Sequence, residues 1–479
     1  MGSAERMHMV NSFDPAAGTN LGPRASALIE RRRRVLGAPY RLFYERPVEV
    51  RRGEGALLFD PDGLDYLDAY NNVPVVGHAN ARVRAAVAEQ LGRVNTHTRY
   101  LTDEIVDYSE RLISLFPEHL EQVVYACTGS EAVDLALRIA AHVTRASGIV
   151  ITTNAYHGTT RASAAVSPSL GPNNALPPHV VTVAAPDPLR DPAEDGVTAA
   201  LFAQRVGDAI RQLERRGVTF SALIMDSVLS SDGLVTHPEG VLGPAVEVAR
   251  GHGGLYIADE VQSGFGRLGA PWWGFSRHGV EPDLVVLGKP MGNGLPISAV
   301  VGRRDHLETF GRDVRYFNTF GGTPVSIAAA TAVLDEIEER ELRANAAAVG
   351  TALREGLHAL ADSDPRLGQV RGEGLFLAVE VVQPDGTDEH APDATLAGRV
   401  VNGLRDKRVL VSASGRYENV VKIRPPLVFT REHADRLLTA LDEVLAETRG
   451  AGSAARDTDG SAGGGAGGPV SRAGNRLHR

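Results

Sequence analysis

Lys289 has the clearest chemical potential of any residue in this chain. It ends the apolar run Asp283-Leu-Val-Val-Leu-Gly-Lys289 and opens the turn Pro290-Met-Gly-Asn-Gly294. Of the 50 basic residues only three are lysines, Lys289, Lys407 and Lys422, and the other 47 are arginines. Arginine has replaced lysine nearly everywhere, as a GC-rich coding background would do, so each remaining lysine is informative. An amine at the end of a buried strand is costly unless it has a task. A guanidinium is never free to attack a carbonyl, whereas an amine can attack one and form a Schiff base. Simple solvation at a strand end is the alternative.

Three other segments join it. Leu255-Tyr-Ile-Ala-Asp259-Glu260-Val-Gln262 places two carboxylates directly after an apolar run. Ligands of open parallel sheets sit at the carboxyl ends of strands, so a carboxylate here can hold a pyridinium N–H. Helix caps or a salt-bridged strand end would explain the pair equally well. Asn154-Ala-Tyr156-His157-Gly158 follows another apolar run, and Tyr156 can cover an aromatic ring or simply fill the core. Thr128-Gly129-Ser130-Glu131 has capping-box spacing, which predicts a helix start whose N–H groups and dipole favour an anion. An amine, an acid, an aromatic face and a phosphate cradle together suit pyridoxal 5′-phosphate. That cofactor is an electron sink while its ring nitrogen stays protonated, and the displaced lysine can then act as general base and acid.

The elements that must position these groups follow from the pattern. Short apolar runs at Val123–Ala126, Gly148–Thr152, Ala222–Met225, Leu255–Ala258 and Leu284–Leu287 predict strands buried on both faces. Helical patterns at Ser130–Arg145, Ala199–Arg215 and Val241–Arg250 lie between them. The alternation predicts an α/β fold with a mostly parallel central sheet in a large domain. After Thr323 the spacing predicts helices at Val325–Glu338, Glu341–Leu360, near Ala397–Asp406 and at Arg431–Thr448. Strands are predicted at Leu375–Val382 and Val420–Arg424, which gives a smaller α+β domain. Val48–Asp68 reads as short antiparallel strands beside it. The expected division is a disordered N-terminus at 1–22, a small-domain segment at 23–75, a large cofactor domain at 76–323, the rest of the small domain at 324–449 and a disordered Gly-rich tail at 450–479.

Whole-chain properties narrow the class. The chain has 479 residues, enough for two or more domains, and a net charge of −9, which argues against a nucleic-acid binder. The basic run Arg31-Arg-Arg-Arg34 reads as a solvated face or an arm at a subunit contact. One cysteine, Cys127, excludes an internal disulfide and a cysteine zinc cluster. No apolar stretch reaches signal-peptide or membrane-span length, so a cytoplasmic enzyme without a membrane partner is expected. A nucleotide-binding oxidoreductase or kinase is excluded by motif. No Gly-x-Gly-x-x-Gly follows the first strand, and Pro follows Gly288-Lys289 where Ser or Thr would be needed.

Three runs carry a family resemblance. Ala258-Asp-Glu-Val-Gln-Ser-Gly-Phe-Gly-Arg-Leu-Gly269, Gly288-Lys-Pro-Met-Gly-Asn-Gly-Leu-Pro296 and Phe317-Asn-Thr-Phe-Gly-Gly-Thr-Pro324 resemble the class III pyridoxal-phosphate aminotransferases. The likeness runs from about Tyr40 to Glu447. It implies the fold type I architecture and a homodimer with active sites at the subunit interface. It also implies that Lys289 is the Schiff-base lysine, that Asp259 partners the ring nitrogen, that Gln262 approaches the ring hydroxyl and that Tyr156, with His157 beside it, stacks on the ring. Gly129 and Ser130 would hold the phosphate, with Thr323 reaching it from the partner subunit.

Within the class, Asn95-Thr-His-Thr-Arg-Tyr-Leu101 and Val421-Lys-Ile-Arg-Pro-Pro-Leu427 are most similar to the ethanolamine-phosphate and phosphohydroxylysine phospho-lyase subgroup. Many class III aminotransferases carry an arginine where Lys422 stands, gripping a substrate carboxylate as a fork. A lysine suits a less directional anion, so Lys422 and Arg424 are the expected substrate-binding residues. Val75 stands where His is usual, Cys127 and Val133 where Asn is usual, and Asp226 where Glu is usual. Transamination of a small amine or amino acid is the leading expectation. The alternatives are elimination of a β- or γ-leaving group, or a synthase that captures the unsaturated product with a second substrate.

Overall fold

The computed structural model describes residues 10–190, 194–384 and 390–459. Its centre is a seven-stranded sheet in the order Gln122–Ala126, Ser298–Gly302, Leu284–Leu287, Leu255–Asp259, Phe220–Asp226, Gly148–Thr152, Val180–Val183. Ser298–Gly302 runs antiparallel to both its neighbours, and the other pairings are parallel. The strands form here because their Val, Ile and Leu residues are buried on both faces; every residue of Gly148–Thr152 and Leu284–Leu287 is buried. Helix Gly129–Thr144 covers the sheet with Ala132, Leu135, Ala136, Ile139 and Ala140. Asp195–Arg215 and Gly243–Gly251 pack against each other and against the sheet.

Both ends of the described chain meet in the remaining α+β part. Arg52–Glu54, Leu57–Phe59 and Asp65–Asp68 form an antiparallel run, and Asp65–Asp68 pairs in parallel with Val409–Leu410. A second antiparallel sheet joins Leu367–Glu373, Phe376–Gln383, Val420–Ile423 and Ser412–Ser414. Arg267, itself buried, bridges this part to the central one: its guanidinium donates to the carbonyls of Leu375, at 3.2 Å, and Pro425.

Two boundaries differ from expectation. The chain is anchored from Val10 onward, because Phe13 N–H donates to Leu42 at 2.9 Å and Tyr44 N–H donates to Asn11 at 2.7 Å. These pairings give the early backbone partners that the low-complexity reading of 1–22 did not foresee. The last helix runs Arg431–Asp459, past the expected end at 449. Residues 1–9 and the Gly-rich stretch 460–479 lie outside the described residues. Among the described residues, no helix is long and apolar enough to cross a membrane.

Candidate active site

The strands that share one direction end on one edge of the sheet, and there they deliver the groups singled out in the sequence. Gly129, Ser130, Tyr156, His157, Gly158, Asp226, Asp259, Val261, Gln262 and Lys289 line one cleft. The sheet register sets Asp226 directly beside Asp259.

Lys289 follows Leu284–Leu287 and begins the short turn Lys289–Gly292. The turn ends at Asn293, whose backbone is left-handed (φ 49°). The Asn293 side chain locks this turn to the Val76–Gly77 backbone, accepting from Val76 N–H at 3.0 Å and donating to the Gly77 carbonyl at 3.0 Å. Burial pulls the Lys289 amine down to about 8, with the Arg424 guanidinium adding to the effect and Asp259 and Asp226 opposing it. A neutral amine is therefore accessible near neutral pH, as nucleophilic attack requires.

The two carboxylates, at the last residue of the strand Leu255–Asp259 and just after it, point to different surroundings. Asp259 faces the cleft. One of its oxygens pairs with His157 Nδ1 at 2.7 Å, and the other accepts from Val261 N–H at 3.1 Å. Both side chains of that pair are buried. Glu260 turns away from the cleft. It accepts from Ser263 Oγ and from the Gly274 and Phe275 N–H groups, all at 2.8 Å, and has a structural role. Of the two carboxylates, only Asp259 is thus left facing the cleft.

The capping box forms as predicted: Glu131 N–H donates to Thr128 Oγ1 at 3.2 Å, and Glu131 Oε2 accepts from Thr128 N–H at 2.9 Å. Helix Gly129–Thr144 therefore starts at the cleft with its first N–H groups and positive dipole end. Gly158 lines the cleft close to this helix start. A Cβ there would meet Ser130 Oγ at 2.5 Å and Ser163 Oγ at 2.7 Å. Tyr156 lies partly open on the cleft wall, and burial pushes its hydroxyl above the ordinary tyrosine range.

The remaining expected residues fall elsewhere. Thr323 is buried, precedes helix Pro324–Glu339, and donates to Ser326 Oγ at 3.3 Å; it does not line the cleft of its own chain. Lys422 lies beneath the cleft, donating to the Ser230 carbonyl at 2.7 Å, and burial pulls its amine down to about 7. Arg424 donates to Gln262 Oε1 and to the Tyr70 carbonyl (3.1 Å), and its guanidinium lies 4.8 Å from the centre of the Tyr70 ring. Val75 is fully buried away from the cleft.

The sequence did not mark Asp226, Ser230 or Asp232 as site residues. Asp226 accepts from Ser230 Oγ and from Val228 N–H at 2.9 Å, and burial together with Asp259 raises its carboxyl. Asp232 accepts from Thr152 Oγ1 at 2.6 Å and from Asn154 N–H at 3.1 Å, which ties down the segment leading to Tyr156; burial lifts it to about 6. The only sequence signal for any of them was that Asp226 departs from the usual Glu.

The donor set fits pyridoxal 5′-phosphate. A buried amine with a lowered pKa, a carboxylate held by His157, an aromatic wall and a helix start without side-chain bulk meet in one cleft. The comparisons agree. The profile described as "Aminotransferase class-III" matches residues 43–445. A Drosophila melanogaster protein described as alanine–glyoxylate aminotransferase 2-like is 38% identical over 428 residues, 87% of this chain and 86% of its own length. A Caenorhabditis elegans protein described as ethanolamine-phosphate phospho-lyase homolog 1 is 33% identical over 453 residues, 91% of this chain and 96% of its own. Among solved structures, a phospholyase from Arthrobacter in complex with phosphoethanolamine is 42% identical with a TM-score of 0.85, covering 88% of this chain and 99% of that one. The chain belongs to the class III aminotransferase family, and its cofactor is pyridoxal 5′-phosphate.

Proposed function

We propose that this enzyme eliminates phosphate from a small phosphorylated amine that carries no α-carboxylate, of which phosphoethanolamine is the simplest. One observation carries the reading. Among the described residues that line the cleft there is no arginine, and Lys422, standing where a carboxylate-gripping fork is expected, commits its amine to the Ser230 carbonyl. Arg424, the nearest guanidinium, is held by Gln262 and Tyr70. Recognition of an amino acid by a bidentate fork is thereby disfavoured. The Arthrobacter phospholyase, solved with phosphoethanolamine, adds support. The leading expectation from sequence, transamination, is the second reading, and the similarity to the Drosophila aminotransferase-like protein favours it.

Bound pyridoxal phosphate supplies an electron sink beside the carbon that bears the substrate amine. Lys289 would hold the cofactor through its amine, and Gly129 and Ser130 would hold the phosphate at the helix start. Asp259, fixed by His157 and Val261, would keep the ring-nitrogen proton. Tyr156 would cover the ring. Lys289, once free, takes the proton from the amine-bearing carbon. The neighbouring C–O bond then breaks and its electron pair leaves with phosphate. With one water, phosphoethanolamine becomes acetaldehyde, ammonia and inorganic phosphate. The family resemblance adds a homodimer in which Thr323 would serve the partner's cofactor.

The test is product analysis of the holoenzyme with phosphoethanolamine. Equal amounts of inorganic phosphate and ammonia over many turnovers, with the cofactor's absorption restored, are expected. Stoichiometric pyridoxamine phosphate without phosphate release would overturn elimination in favour of transamination.

A further inference from the structure

Gln262 is held at both ends of its amide, and this fixes its direction. Arg424 has only donors, so the oxygen it meets must be Gln262 Oε1. The amide nitrogen must therefore face the other neighbour, and Gln262 Nε2 donates to Ser230 Oγ at 2.6 Å. With its lone pair engaged, the Ser230 hydroxyl turns its one proton to Asp226, which also accepts from the Ser230 backbone N–H at 3.3 Å. The hydrogen-bond chain from Arg424 through Gln262 and Ser230 to Asp226 thus has a single polarity, set by the guanidinium and ended by an accepting carboxylate. It leaves Gln262 with one further amide hydrogen, and Gln262 lines the cleft.

Ser230 is fully buried and is placed with some strain. Leu229 before it has left-handed backbone (φ 47°), which a non-glycine residue rarely adopts. Lys422 then pins the Ser230 carbonyl at 2.7 Å. Asp226 is one methylene shorter than glutamate, and Ser230 spans the gap between its carboxylate and Gln262.

We propose that Ser230 is a positioning residue: it orients the Gln262 amide so that its free N–H points to the ring hydroxyl of bound pyridoxal phosphate. Lys422 holds Ser230 in place and Asp226 receives its proton. The inference rests on Gln262 approaching that hydroxyl, as the family resemblance implies, and gives Lys422 a role beneath the cleft instead of contact with substrate.

The experiment is a pH titration of the visible absorption of the bound cofactor. A donor to the ring oxygen stabilises its anionic form and weakens that oxygen's hold on the proton shared with the lysine-linked nitrogen. Loss of the donor therefore raises the titration midpoint, by about one pH unit. Asp259, Lys289, Lys422, Arg424 and Asp226 are the charged groups around the amide, and all are retained in the variants used. Ser230→Ala and Gln262→Ala are each expected to raise the midpoint, and the double variant to raise it no further than Gln262→Ala alone. Ser230→Cys, close in volume and a poor hydrogen-bonding group, is expected to shift in the same direction and serves if the alanine variant does not fold. A shift in Gln262→Ala with wild-type titration in both Ser230 variants would overturn the role of Ser230 and leave Gln262 at the ring hydroxyl. Wild-type titration in all three would remove Gln262 from that position, and the inference with it.

Discussion

Two lysines with lowered pKa values make opposite contributions at the residue scale. The proposed role of Lys289 as the residue that holds the cofactor accounts for its burial. With its amine pulled down to about 8, the rate at which apoenzyme captures pyridoxal phosphate should rise with pH and level off above about 8, well below the 10.5 of a free lysine. Stopped-flow absorbance across pH 6.5–9.5 reads this, and Lys289→Ala should show no capture at any pH. Lys422 is buried at a cost to stability. Its folded-state value, about 7, lies below the unfolded 10.5, so between these values the unfolded chain binds more protons and stability rises with pH. Below pH 7 the full penalty applies, at about 1.4 kcal/mol for each pH unit of the gap. Lys422→Met should therefore melt higher than the parent at pH 6. Part of the gain is offset by about 1–3 kcal/mol for the unpaired Ser230 carbonyl. The advantage should shrink steadily toward pH 10. An advantage that does not change with pH would mean that Lys422 is not held in a desolvated site.

At the scale of elements, Gly158 shows how closely two segments approach at the proposed phosphate cradle. Its φ of 140° strains any side-chain-bearing residue, and an added Cβ would press on Ser130 Oγ at 2.5 Å. Strain of about 1–3 kcal/mol would loosen the cradle. Gly158→Ala should therefore bind pyridoxal phosphate about tenfold more weakly, measured by titration of apoenzyme, while far-UV circular dichroism stays unchanged. The sequence revealed these strand ends because fully buried strands are continuous apolar runs: Gly148–Thr152 and Leu284–Leu287 match their readings to the residue. It hid Ser298–Gly302, a five-residue strand following closely on the Pro290–Gly294 turn, and Leu367–Glu373, whose polar residues and irregular register at Leu367 and Gln369 blur any period. The groups around Lys289 were legible because each sits directly after such a run. The Asp226, Ser230 and Gln262 network was not. Asp226 and Ser230 are four residues apart, but neither follows a recognised motif, Gln262 is 32 residues further on from Ser230, and only the order of strands in the sheet sets Asp226 against Asp259.

For the molecule as a whole, the question is what covers the rim beside helix Pro324–Glu339. Leu101 is fully exposed, Phe320 is 69% exposed and Tyr100 63%. Around them His97 stacks on Tyr100 with ring centres 5.0 Å apart, and Arg99 lies 3.8 Å over Phe317. Such a group of exposed apolar and aromatic side chains fits the contact of the proposed dimer. Thr323, just beyond Phe320, is placed away from its own cleft. Both facts follow if a second copy packs here and lends this segment to its neighbour's phosphate. Burying a new carboxylate in that contact without a partner is strongly unfavourable. Leu101→Asp and Phe320→Asp should therefore shift the protein from dimer to monomer in sedimentation velocity, and the monomer should lose pyridoxal phosphate on dialysis while keeping its helical content. Thr323→Ala should leave the dimer intact and weaken cofactor retention alone, which separates assembly from phosphate contact. A wild-type chain that sediments as a monomer and still retains its cofactor would exclude a shared site.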